Sequence, residues 1–151
     1  MSKFLLLAVL GILSVLPSAA QQKNEVLPKV WSASAPFYPP VAKQASIRGL
    51  VTLRVTTDGK RVVSFDAESG PPYLVLKTKE TVKTWEFQPH KPTSFGIKFE
   101  YTLSAPSSPC DWDSAEERAK EFVVLRLPTY VELHAIIPVD CDPAVPSDGK
   151  K

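Results

Sequence analysis

Catalytic equipment is scarce in this chain. Its 151 residues hold two histidines, His90 and His134, and two cysteines, Cys110 and Cys141. Neither histidine has convergent partners at a recognisable spacing, and a zinc site or an acid–base pair needs them. No glycine-rich phosphate loop occurs, and Ser69-Gly70 lacks the flanks of a nucleophile elbow. Asp111 and Asp113 around Trp112, and Glu116 beside Glu117, read as a solvated helix start favoured by the helix dipole. These absences argue against an enzyme and against a metal or other cofactor. The net charge of +2 is too small to point to nucleic acid.

Long apolar runs are also missing, with one exception at the start. Met1 to Lys3 are short and positive, Phe4 to Leu16 are apolar, and Pro17-Ser18-Ala19-Ala20 supply small residues. That is the pattern of a secretory signal peptide over residues 1–20, with cleavage expected after Ala20. As a helix the apolar run would rise only roughly 20 Å, short of the ~30 Å hydrocarbon core. No cysteine sits near the cleavage site, so no lipid anchor is expected, and the mature chain should carry no permanent membrane span. In an extracytoplasmic space Cys110 and Cys141 are expected to form a disulfide, stabilising by roughly 3–4 kcal/mol in the chain-entropy account.

What is present is strand and helix patterning. Residues 21–34 form a short polar leader. Tyr38 to Ala45 read as a small helix opened by proline. Leu50 to Thr57 alternate as a half-buried strand, Asp58-Gly59 signals a hairpin, and Arg61 to Ala67 return with Val63, Phe65 and Ala67 inward. Ser69-Gly70-Pro71-Pro72 then opens a helix over Tyr73 to Trp85, with Val75, Thr78, Val82 and Trp85 on one stripe. Phe95, Ile97, Phe99, Tyr101 and Leu103 alternate with polar residues in a long strand.

The sum is an α+β fold: helix-strand-strand-helix-strand over residues 35–103, a three-stranded antiparallel sheet with helices packed on one face. A Ser/Pro linker, 104–109, leads to an extension over 110–141. There Ser114 and Glu117 have capping-box spacing, and Phe122 to Leu127 and Tyr130 to Ile137 read as strands. Pro128-Thr129 suits a tight hairpin poorly, leaving one bent ribbon or two looser strands as alternatives. The expected disulfide would staple this β-rich extension as an appendage, and residues 142–151 read as a disordered tail.

Tyr38-Pro39 with Ala42, Ile47-x-Gly49-x-Val51, Asp58-Gly59, Glu68-Ser69-Gly70 and Val82-x-x-Trp85-x-Phe87-x-Pro89 recur in a specific order and spacing. Together they resemble the C-terminal domain family of the TonB energy transducers, over about Pro36 to Leu103. The resemblance implies a periplasmic domain that grips a segment of a TonB-dependent outer-membrane receptor. The segment adds as a strand beside the last strand of the sheet, where unpaired N–H and C=O groups can receive it. Carried over, the partner-binding edge is Phe95, Ile97, Lys98, Phe99, Glu100, Tyr101, Thr102 and Leu103. The family's motif positions become scaffold: Tyr38, Pro39, Ala42, Gly49, Asp58, Gly59, Ser69, Gly70, Trp85, Phe87 and Pro89. Two departures matter. The leader reaches about 50 Å at most, in place of a long proline-rich spacer. The later strands could also fill the edge, making the chain a structural or assembly protein of the envelope.

Overall fold

The computed structural model describes residues 27–107 and 114–139. The expected signal peptide, the start of the leader, Cys110 and Cys141 with their expected disulfide, Asp111 and Asp113, and the tail lie outside the described residues. In chain order the elements are β1 (Val30–Ser32), α1 (Pro40–Gln44), β2 (Gly49–Thr57), β3 (Val62–Ser69), α2 (Pro72–Val82), β4 (Glu86–Phe87), β5 (Thr93–Ser104), α3 (Ala115–Arg118), β6 (Phe122–Arg126) and β7 (Tyr130–Ile136). Among the described residues no helix is long and apolar enough to cross a membrane.

The protein is an α+β fold, but the expected three-stranded antiparallel sheet with a separate appendage is overturned. Five strands form one mixed sheet in the order β3-β2-β5-β7-β6, and β1 pairs with β4 in a second, two-stranded sheet. β7 runs parallel to β5, Lys98 to Ser104 against Tyr130 to Ile136, while the other neighbours are antiparallel. The reason is a shared apolar face. Val131, Leu133 and Ala135 are buried beside Phe99, Tyr101 and Leu103, so β7 widens the surface that β2 and β5 already present to the helices. β6 and β7 close as an antiparallel hairpin across Leu127-Pro128-Thr129, with a cis Leu127–Pro128 peptide. Both C-terminal strands therefore belong to the sheet, and β7 belongs to its core.

Local departures from the expected patterns have local causes. In β3, Val62 and not Val63 turns inward, because the register with β2 slips between Thr56 and Thr57 and leaves Val63 59% exposed. In α2 the buried row is Leu74, Thr78 and Val82, one residue away from the Val75 start expected, with Val75 packed at its margin. The loop after β2 is wider than a two-residue hairpin. Asp58 Oδ1 accepts from the N–H groups of Lys60 and Arg61, both at 2.8 Å, and the loop is clasped by a neighbouring segment. Lys60 and Gly59 carbonyls receive the N–H groups of Phe87 and His90. Gly59 has φ +107°, and a Cβ there would lie 2.3 Å from the His90 carbonyl oxygen.

Candidate functional site: the outer edge of the sheet

The strand expected to be an open edge is the centre of the sheet. β5 pairs with β2 on one side and with β7 on the other, so the backbone groups of Lys98 to Leu103 are taken up within the chain. Its inward side chains, Phe95, Ile97, Phe99, Tyr101 and Leu103, are core. Of the outward ones, Glu100 accepts from the Tyr130 hydroxyl at 2.5 Å and Thr102 meets His134 Nδ1 at 2.9 Å. The Lys98 amide donates to the Thr129 carbonyl at 2.8 Å. The expected edge at Phe95 to Leu103 is thus corrected over Lys98 to Leu103, where the apolar face of β7 makes intramolecular pairing the better use of those groups, while Phe95 to Ile97 pair with β2 alone.

The family-motif residues sit where a scaffold would need them. Tyr38 donates to the Ile47 carbonyl at 2.7 Å and meets the Tyr101 ring edge-on at 5.3 Å. Burial, with Tyr101 adding, pushes its phenol up to about 12. Ala42 is fully buried. Trp85 is fully buried against Phe99, and its indole N–H finds no acceptor among the described residues. Phe87 packs edge-on against Phe95 and His90. A Cβ on Gly70 would come within 2.9 Å of Val51 Cα, so only glycine lets α2 start this close to β2.

The acid–base candidates are absorbed into structure. His134 lies on the open face of the sheet, its two ring nitrogens 2.9 Å from Thr102 Oγ1 and 3.1 Å from Ser104 Oγ. His90 Nδ1 contacts the Lys91 carbonyl at 2.6 Å. Glu117 is buried, caps Ser107 N–H and pairs with Lys120, whose ammonium holds the carboxyl below its usual range. Tyr130 is raised to about 12, first by its hydrogen bond to Glu100 and then by burial. Among the described residues no three His, Cys, Asp or Glu side chains are placed to hold a metal ion.

Two strands do border solvent, and they differ. β3 is guarded: its pairing with β2 is broken by two register shifts, it carries Asp66 and Glu68, and Arg54 pairs with Glu68 at 3.0 Å. β6 has none of these protections. Its register with β7 is unbroken from Phe122↔His134 to Arg126↔Tyr130, and its one charge stands at its end. Phe122, Val123 and Leu125 are between 42% and 45% exposed. Since cross-strand partners share a face, Val123 and Leu125 stand with Leu133 and Val131 on the helix side. Phe122 stacks on His134 on the other face, ring centroids 5.1 Å apart, and the Arg126 guanidinium lies 5.5 Å over the Tyr130 ring.

The helix side of this edge is flanked by more uncovered apolar residues. A cleft of about 480 Å³ is lined by Leu27, Trp31, Leu125, Leu127 and Pro128, and one of about 300 Å³, which reaches round the start of β6 to Phe122 and His134, by Phe37, Tyr38 and Val123 with Lys43 and Glu121. Trp31 is 74% and Phe37 67% exposed, although the segment carrying them is held by β1–β4 pairing and by the Gln88 amide on the Lys29 carbonyl. Large aromatics fixed in place and left in water mark an association surface. The signal was available in the run Phe122-Val123-Val124-Leu125, which is apolar on both faces where a strand with one solvated face would alternate.

Compared with known proteins, the chain matches no protein-family profile and no curated sequence.

Proposed function

We propose that this protein is an exported, non-enzymatic protein-binding module of the cell envelope that takes an extended partner segment by strand addition at β6. The observation that carries the reading is the unguarded β6 edge between two clefts that hold exposed aromatic residues, opposite a guarded β3 edge. An added strand would satisfy the outer N–H and C=O groups of β6 while its alternate side chains cover Val123 and Leu125. The motif order from Tyr38 to Pro89 supports kinship of the core with the TonB C-terminal domain, and the apolar start of the chain supports export to the periplasm. The partner is an outer-membrane receptor or another envelope polypeptide, met two strands further out than that family's edge.

The test is amide chemical-shift mapping of the protein titrated with synthetic N-terminal peptides of TonB-dependent receptors. Shifts concentrated at 122–126 and around Trp31 and Phe37 support the reading. Shifts along 98–103 would mean that β7 is displaced and β6 is not the site. A flat titration together with fully protected β6 amides would defeat strand addition altogether.

A second reading, a structural or assembly protein, is favoured by the β5–β7 pairing, in which the chain's own later residues close the strand that would otherwise receive a partner. Exchange at 98–103 and at 122–126 alike left unchanged by every partner peptide is its expected signature.

A further inference from the structure

We infer that the segment that adds to β6 is β6 of a second copy, paired antiparallel about a two-fold axis between the two Val124 residues. This rests on the reading of β6 as the strand-adding edge and names its partner. The inference comes from the strand's self-complementarity. A two-fold axis perpendicular to a sheet keeps each face on its own side, so residues directly opposite must share a face, and the axis must run between one residue and its own copy. Centring on Val124 pairs every residue of β6. Val123 faces the second copy's Leu125 on the helix side, and Phe122 faces its Arg126 on the other.

Both pairings are chemically matched. Phe122 is already stacked on His134 and Arg126 already lies over Tyr130. The pair would therefore bring the cation of each copy beside the aromatic ring of the other. Centring on Val123 instead would set Lys120 opposite Arg126, two like charges, and Glu121 opposite Leu125. Centring on Leu125 would leave Phe122 opposite Pro128, which lies in the turn and not in a strand. On the helix side, Trp31 borders Leu125 and Phe37 borders Val123. Across the axis, Trp31 of one copy and Phe37 of the other then flank the same Val123–Leu125 pair and close over it. Two five-stranded sheets become one continuous sheet. The bare apolar edge, a liability in a monomer, becomes its interior.

The experiment is the molar mass of the purified protein by sedimentation equilibrium across the micromolar range, for wild type, Val124→Lys, Val124→Glu and their equimolar mixture. The expected result is twice the monomer mass for wild type, the monomer mass for each variant alone, where like charges meet on the axis, and recovery of the doubled mass on mixing. Arg126→Glu, at an exposed strand end where folding is not at risk, is expected to weaken the dimer several-fold. A monomeric wild type overturns the inference. So does a dimer that neither Val124 variant disturbs, or one that is lost in both and not recovered on mixing while Arg126→Glu is silent. A monomeric wild type whose β6 amides still shift with receptor peptides removes the second copy as partner and leaves the strand-addition reading standing. Monomer and flat titration together remove both.

Discussion

Lys43 Nζ stands 2.6 Å from Glu121 Oε1, tying the first helix to the residue that leads into β6. The same oxygen accepts from the Ile136 amide at 3.0 Å, so a single carboxylate joins α1, the start of β6 and the end of β7. The two bonds are unequal in weight. Lys43 and Glu121 side chains are 23% and 31% exposed and water screens the ion pair, whereas Ile136 is buried and donates its N–H to this carboxylate. Lys43→Met should cost at most about 1 kcal/mol. Glu121→Ala should cost about 1–3 kcal/mol, because it leaves a buried donor unmade. Urea unfolding of the two variants checks the order; equal losses would show that the amide does not depend on Glu121.

Gly59 and Gly96 make a paired test of backbone geometry. Gly59→Ala must adopt φ +107° with its methyl carbon 2.3 Å from the His90 oxygen. It should lose about 1–3 kcal/mol from the dihedral alone, with further loss as the 88–91 segment shifts. A Cβ on Gly96 meets nothing within 4 Å. Gly96→Ala should be neutral or stabilise by up to about 1 kcal/mol through the unfolded chain. Thermal or urea denaturation of both decides it.

Trp85 contributes by volume and not by hydrogen bonding. Trp85→Ala should cost about 3–5 kcal/mol, the range for emptying a large buried aromatic. Trp85→Phe should cost distinctly less, since the indole N–H has no acceptor among the described residues and its removal lifts a desolvation penalty. Denaturation midpoints give the comparison. A Phe variant as unstable as the Ala variant would point to an acceptor for that N–H.

Tyr130 should ionise late. Its phenol is raised to about 12 by donating to Glu100, against about 10 in an unfolded chain. The folded protein thus prefers the protonated form. The stability contributed is fully present below about pH 10 and is lost as pH rises toward 12. Tyrosinate absorbance should therefore show a late component that disappears in Tyr130→Phe and moves earlier in Glu100→Gln. The late component of Tyr38, which arises from burial, should persist in both.

The periodic elements were legible because periodicity is local. The alternations in Leu50 to Thr57 and Phe95 to Leu103, the proline-opened helices and the Ser114 cap with Glu117 each follow from a few adjacent residues, and the structure holds them within a residue or two, except that α2 stops at Val82, three residues before the expected Trp85. Motif positions such as Gly59, Gly70 and Trp85 could be singled out as scaffold. Their partners, the His90 carbonyl, Val51 and Phe99, lie elsewhere in the chain and could not be read off.

What tertiary structure alone decided is which strand is left bare. A strand's own residues specify that it pairs, through two rows of backbone groups, but backbone groups are the same for every candidate neighbour. Only the packing of Val131, Leu133 and Ala135 onto the core chose β7 as the neighbour of β5. That choice moved the open edge outward to Phe122–Arg126. The candidate site is therefore a consequence of strand order, a property of the whole sheet that no single segment contains.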